Sequence, residues 1–169
     1  DIKLNEVNTF FSAYKLSFNK ILSEVIAFGL IGLTDEDENK GYFATTINCQ
    51  NFAVKSKSYH DFDRKLVGQV LGLKNEQKGE QLNKFKIKKL IPKLDGGMLA
   101  ICERMCITTQ SDVFYVNGIP QSTYARIFNN DEVLVLDLDS NGNTNWFDIV
   151  NKNQSSINDG GYYNGIVIM

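Results

Sequence analysis

The most specific chemistry-bearing pattern in the chain is Asp137-Leu138-Asp139-Ser140-Asn141-Gly142. Side-chain oxygens at the first, third and fifth positions, then a glycine that permits a sharp turn, match the opening of a calcium-binding loop. Counting on, Asn143 offers a backbone carbonyl, Asn145 stands at the ninth position and Asp148 at the twelfth. The standard loop has a glutamate there, and aspartate is shorter. The candidate calcium ligands in this pattern are Asp137, Asp139, Asn141 and Asp148. The same residue types are ordinary turn formers, and a strand rather than a helix precedes them. A plain polar turn between two strands is therefore the competing expectation.

Other constellations are less specific. His60 is the only histidine, which removes most histidine-based metal sites and triads. No Gly-x-Ser-x-Gly elbow is present, and Gly96-Gly97 stands alone, without a phosphate-cradling context. Asp61 and Asp63 read as a helix cap and a surface charge. The expectation is a protein that is not an enzyme and has no catalytic residues. A catalytic alternative requires a deep pocket lined by two or more of His60, Cys49, Cys102, Asp61 and Asp63.

The three cysteines, Cys49, Cys102 and Cys106, are an odd number, so at least one is unpaired within a monomer. On a regular helix, Cys102 and Cys106 would share a face with poor bridging geometry. Pairing and compartment stay open. Lysines 84, 86, 88, 89 and 93 interleave with Phe85, Ile87, Leu90 and Ile91. They read as an edge strand or helix with a solvated lysine face, with a phosphate-binding surface as the alternative. With 18 basic and 20 acidic side chains the net charge is −2, so no nucleic-acid partner is expected.

These residues must be positioned by a chain of 169 residues, 43% hydrophobic and 22% charged, which is globular composition for one domain. No stretch is long and apolar enough to span a bilayer as a helix, and no signal peptide is visible. Apolar residues at Leu4, Val7, Phe11, Tyr14, Phe18, Ile21, Val25 and Phe28 are spaced by threes and fours. That spacing predicts an amphipathic helix over residues 3–28, ended near Gly29 and Gly32. A shorter helix is expected over 61–73, with Asp61 as its cap. Strands are expected at 112–116, 123–128, 132–139, 146–150 and 165–169. Asn117-Gly118 is a hairpin turn and Asn129-Asn130-Asp131 a second turn. The predicted fold class is α+β, a long N-terminal helix packed on a mainly antiparallel sheet. One domain spans 1–169, with a helix at 1–28, a variable middle region at 29–110 and an antiparallel sheet with the Asp-rich loop at 111–169.

The stretch YARIFNNDEVLVLDLDSNGNTNWFDIV, residues 124–150, resembles the strand, Asp-Asn-Gly loop and returning strand of type IV pilins and the pseudopilins of type II secretion. The stretch KLIPKLDGGMLAICERMC before it is similar to the region preceding the sheet in such chains. The family's Gly-Pro-Asn continuation is replaced here by Asn143-Thr144-Asn145-Trp146, and its apolar N-terminal half-helix is absent. The resemblance implies the soluble portion of a pilus or pseudopilus subunit, its N-terminal helix being the second half of a longer one. It also implies other pilin-like subunits as partners, and a membrane contact made only through a missing N-terminal segment. The implied place is the cell surface or periplasm, after anchoring in the inner membrane. An adhesive role and a structural calcium in the Asp137–Asp148 loop are implied as well. The rival expectation is a secreted, calcium-stabilised binding or adhesion module, or a phage structural domain.

Overall fold

A computed structural model describes residues 10–32, 38–71, 82–162 and 164–168. Among these, eleven strands and one short helix occur. The first sheet contains β1 (Phe10–Asn19), β2 (Glu24–Gly32), β4 (Gly41–Asn48) and β5 (Val54–Asp61), in the order β1-β2-β4-β5. The second contains β7 (Phe85–Pro92), β8 (Met98–Val116), β9 (Ile119–Leu138) and β10 (Thr144–Val150), in the order β10-β9-β8-β7, and β11 (Gln154–Ile157) also pairs with β9. Every pairing is antiparallel. A two-residue ladder joins β3 (Glu38–Asn39) to β6 (Leu82–Asn83). The helix α1 (Arg64–Leu71) follows β5.

The core is a layer between the two sheets, and it follows the period of two that places alternate side chains on one face. Ile26, Phe28 and Leu30 of β2, with Tyr42 and Ala44 of β4, supply one side. Met98, Ala100 and Cys102 of β8, with Leu134, Leu136 and Leu138 of β9, supply the other. Leu66 of α1 is buried in the same cluster, and Val67 and Val70 pack against it.

The expected N-terminal helix is overturned. Residues 1–9 of it lie outside the described residues, and the rest is the antiparallel hairpin β1–β2, with Phe18 opposite Val25 and Leu16 opposite Ala27. The predicted fold class, a long helix on a sheet, is replaced by two packed antiparallel sheets. The physical reason lies in how the apolar stripe divides. Phe28 points into the core, whereas Tyr14, Phe18 and Ile21 are exposed. In β1 the inward positions are polar and close the side of the sandwich. Lys15 Nζ donates to Lys88 O at 2.6 Å and Asn19 Nδ2 to Lys93 O at 3.0 Å. A bulge between Phe11 and Ala13 breaks strict alternation. The turn at 20–23 is set by Asn19, whose Oδ1 accepts from Leu22 N at 3.2 Å, and by Ser23 at φ 52°. The threes and fours were thus a hairpin with apolar residues on both faces, and β-branched and aromatic content favoured strands.

The second helix is present but begins at Arg64 rather than 61, residues 72–73 of the expected span lie outside the described residues, and its cap is Asp63 rather than Asp61. Asp63 Oδ1 accepts from Leu66 N at 2.7 Å. In the second half, the expected strands 123–128 and 132–139 are one strand, β9. Asn129-Asn130-Asp131 is not a turn. Asn129 and Asn130 pair with Cys106 and Met105, and the β8–β9 register slips between Glu103 and Met105, so only Asp131, with Glu132, sits in a bulge, where both hold Arg104. Of the strand expected over 165–169, residues 165–168 are not a strand, and Met169 lies outside the described residues. Lysines 86, 88 and 89 lie on β7, an edge strand of its sheet, beside β1.

Candidate functional site

The Asp-rich segment forms the turn between β9 and β10. Asp137 is the last outward-facing residue of β9, between the buried Leu136 and Leu138. Its carboxylate is the partner of the Lys93 ammonium, Oδ1 to Nζ 2.7 Å, and also accepts from Asn145 Nδ2 at 3.3 Å. The Asp137 hydrogen bond holds the Lys93 ammonium above its ordinary pKa, against partial burial. Asp139 organises the turn. Its Oδ1 accepts from the amides of Asn141 and Asn143, each at 2.8 Å, and its Oδ2 accepts from Asn143 Nδ2 at 3.0 Å. Burial raises the pKa of this carboxyl, but the bonds from Asn143, Asn141 and Gly142 outweigh it and hold it below its usual value. Asn141 is exposed, and Asp148 lies on β10, where its Oδ1 accepts from Ile149 N at 2.9 Å.

Of the four expected calcium ligands, Asp137, Asp139 and Asp148 are thus engaged with separate partners. A lysine ammonium occupies Asp137, and loop amides occupy Asp139. Among the described residues, no three His, Cys, Asp or Glu side chains are grouped to hold a metal ion.

What the turn does make is a contact between sheets. Gly142, at φ 86°, packs so closely on the first sheet that a Cβ there would lie 2.1 Å from Ser58 Oγ and 3.0 Å from Ala44 Cβ. Tyr42 Oη donates to Gly142 O at 3.3 Å or to Thr144 Oγ1 at 2.7 Å.

Beside this contact is a cleft of about 280 Å³ with His60, Asp61 and Asp63 in its lining. The chemistry there is limited by prior commitments. Asp63 caps α1, and Asp61 pairs with Lys40 at 3.3 Å. His60 stacks obliquely on Tyr42, with ring centroids 5.2 Å apart, and its Nε2 has no hydrogen-bond partner among the described residues. Among the described residues, no cysteine lines the cleft. Cys102 is wholly buried in the core, where desolvation pushes its thiol up to about 12, and all three cysteines are free thiols.

The feature that sequence reasoning left unremarked is the far half of the β8–β9 hairpin. The last pairing of β7 with β8 reaches Arg104, and the last pairing of β11 with β9 reaches Ile127. Among the described residues, the two strands pair only with each other from Ile107 to Tyr124, and every residue in that span is exposed. Asn117 and Gly118, at φ 52° and 78°, close the tip as expected for a hairpin turn with two left-handed residues. Near the tip, Val113 and Tyr115 crowd one face and Phe114, Val116 and Ile119 the other. Their exposures run from 48% to 71%. The signal was available in the length of polar and apolar chain on either side of Asn117-Gly118.

Among the described residues no helix is long and apolar enough to cross a membrane. No family model, no curated protein and no solved structure matches this chain.

Proposed function

We propose that this chain is a non-catalytic binding or assembly module that works by protein–protein contact through the arm formed by residues 107–124. The exposed arm carries this reading. A two-stranded ribbon in water is marginal alone, and soluble proteins seldom leave such apolar surface uncovered without an interaction to make. Between the expectations drawn from the sequence, the arm favours the binding or adhesion module over the filament subunit. The filament reading drew on a long helix from the N-terminus, and residues 10–32 are a hairpin. The cleft at His60 supports catalysis poorly, because its carboxylates have structural partners, its Tyr42 and Thr144 hydroxyls bond each other, and no cysteine is among its described lining residues.

The test is complementation in cells lacking the chain. Replacing residues 108–125 by a short Asn-Gly turn should abolish function while the secreted or cellular level of the protein holds. Replacing His60 by Ala should leave function intact. The reverse pattern, with the arm dispensable and His60 essential, would overturn the reading in favour of chemistry at the cleft.

A further inference from the structure

The ladder fixes which backbone groups of the arm point outward. In an antiparallel pair, directly opposed residues alternate between exchanging their N–H and C=O groups and turning them away from the partner. Arg126 turns away, because its N–H donates to Asn158 Oδ1 at 2.8 Å and its C=O accepts from Asn158 N at 2.9 Å. Phe128 does too, its C=O accepting from Asn164 Nδ2 at 2.9 Å. Their opposites are Thr109 and Ile107. With no slip in register between Ile107 and Val116, the outward residues of β8 are Ile107, Thr109, Ser111, Val113 and Tyr115. Those of β9 are Pro120, Ser122 and Tyr124.

The two edges differ. The β9 edge carries Pro120, which has no N–H to offer and is a common guard against added strands. The β8 edge has no proline and no lysine, and the one charge between Ile107 and Val116 is Asp112, whose backbone groups are taken by Thr123. Among the described residues this is an open edge about 27 Å long at roughly 3.4 Å per residue.

We infer that the β8 edge pairs with the β8 edge of a second copy, giving a two-fold dimer with the strand order β9-β8-β8-β9 across the arms. This deepens, and rests on, the reading of the arm as a contact element. The edge complements itself. With the two-fold axis at Ser111, Thr109 faces Val113 of the second copy and Ile107 faces Tyr115. All five outward residues then meet outward residues, so that roughly ten backbone hydrogen bonds form, the number found in a typical interface. Asp112 falls opposite Gln110, an uncharged hydrogen-bonding neighbour. A same-sequence partner meets itself by one rotation, which is the commonest way for a homo-oligomer to close. A lipid surface is a poorer occupant despite the apolar tip. Hydrocarbon would leave these outward N–H and C=O groups without partners, at several kcal/mol each.

Sedimentation equilibrium of the full chain over a wide concentration range should show a monomer–dimer equilibrium. Ser111→Pro removes an N–H that the hairpin itself does not use, and should weaken the dimer about 100-fold, whereas Ser122→Pro on the opposite edge should leave it unchanged. The double substitution Thr109→Lys with Val113→Lys sets like charges across the axis and should likewise give monomer, by about 100-fold or more. Thr109→Lys with Val113→Glu sets opposite charges in the same places and should restore the dimer, which shows that the loss is not misfolding. A wild-type chain monomeric at every concentration overturns the dimer, as does loss with Ser122→Pro but not Ser111→Pro, or failure of the charge-swapped pair to recover. A monomer that still needs its arm in complementation sinks the second copy as occupant and leaves the arm as a contact element. A monomer that floats with anionic or neutral phospholipid vesicles overturns it in favour of the bilayer.

Discussion

The Tyr42 hydroxyl lies 2.7 Å from Thr144 Oγ1, joining the centre of the first sheet to the first residue of β10 in the second. The ring is 2% exposed and stacks on Phe28 with centroids 5.5 Å apart. One side chain therefore fills the core and also bonds the loop that turns over it. Tyr42→Phe keeps the ring and deletes the hydroxyl, leaving Thr144 and the Gly142 carbonyl short of a partner. The expected loss is about 1–2 kcal/mol in chemical denaturation. Burial raises the phenol above its ordinary value near pH 10, a shift that the Thr144 bond only partly offsets. A raised folded-state value means the stability is whole below about pH 10 and is lost as pH rises through the folded pKa. The melting midpoint of the wild type should therefore fall in that alkaline range more steeply than that of Tyr42→Phe.

Gly142→Ala should cost more than removal of the hydroxyl. The residue is at φ 86°, where a Cβ is strained, and the added methyl would meet Ser58 Oγ at 2.1 Å. Strain and displacement together predict a loss of about 2–4 kcal/mol. Ser58→Ala combined with Gly142→Ala should recover part of it, because the nearest obstructing atom is gone. Equal losses in the single and double variants would show that backbone strain alone decides the effect.

The parts of this fold that were readable are those where local chemistry and tertiary packing agree. Asn117-Gly118 demanded a hairpin, and Val133 to Leu138 demanded a strand. The N-terminus was unreadable because a helical period of three and four can arise when a hairpin has apolar residues on both faces. Phe18 and Val25 are seven apart, as on one helix face, yet they are opposite one another across β1 and β2. The Asp-rich loop was placed correctly between two strands, but its carboxylates could not be assigned from the motif. Lys93 is 44 residues before Asp137 in sequence, and only the register of β7, β8 and β9 brings its ammonium to that carboxylate. The arm was half legible. Its turn was written in two residues, but its isolation depends on where β7 and β11 end.

Glu103 is 0% exposed and lies between two lysines, Lys88 at 2.7 Å and Lys152 at 2.5 Å. It also accepts from Ile166 N at 3.2 Å, which ties the C-terminal residues to the outer face of the second sheet. Burial raises its pKa, but the bonds from Lys152 and Lys88 outweigh this and hold it below the usual glutamate value. Glu103→Ala should therefore cost about 3–5 kcal/mol, as for other broken buried pairs. For the wild type, a lowered folded-state pKa means the contribution is present above about pH 4.3 and is lost as pH falls through the folded pKa. The acid limb of the stability profile should flatten in Glu103→Ala, and an unchanged acid limb would assign it to other carboxylates.

The cysteines should separate by accessibility. Cys102 is in the core with its thiol near 12, while Cys49 and Cys106 are partly exposed. A thiol reagent near neutral pH should modify two thiols in the native chain and the third only on unfolding. Lys84 Nζ lies 3.2 Å from Cys106 Sγ, so modification of Cys106 should also break this contact. Cys102→Ala should remain folded and lose only the slow thiol, whereas rapid modification of Cys102 in native buffer would show that the two sheets open readily around β8.

Calcium should leave the melting midpoint where it is. A ligand that binds only the folded state raises stability in proportion to the logarithm of its concentration over Kd, so a calcium site would show as an upward shift between chelator and millimolar calcium. In this fold the Lys93 ammonium already sits on Asp137 at 2.7 Å, and Asp139 already accepts three hydrogen bonds from its own loop. An entering cation must displace the first and break the others. Lys93→Met removes the competing charge while keeping the aliphatic stem. It should destabilise the chain in chelator, because Asp137 loses its partner, and it is the variant most able to gain stability from calcium. A calcium-dependent rise in the wild type would mean that the loop rearranges around the ion, releasing Lys93 and returning Asp137, Asp139, Asn141 and Asp148 to the ligand roles their spacing suggests.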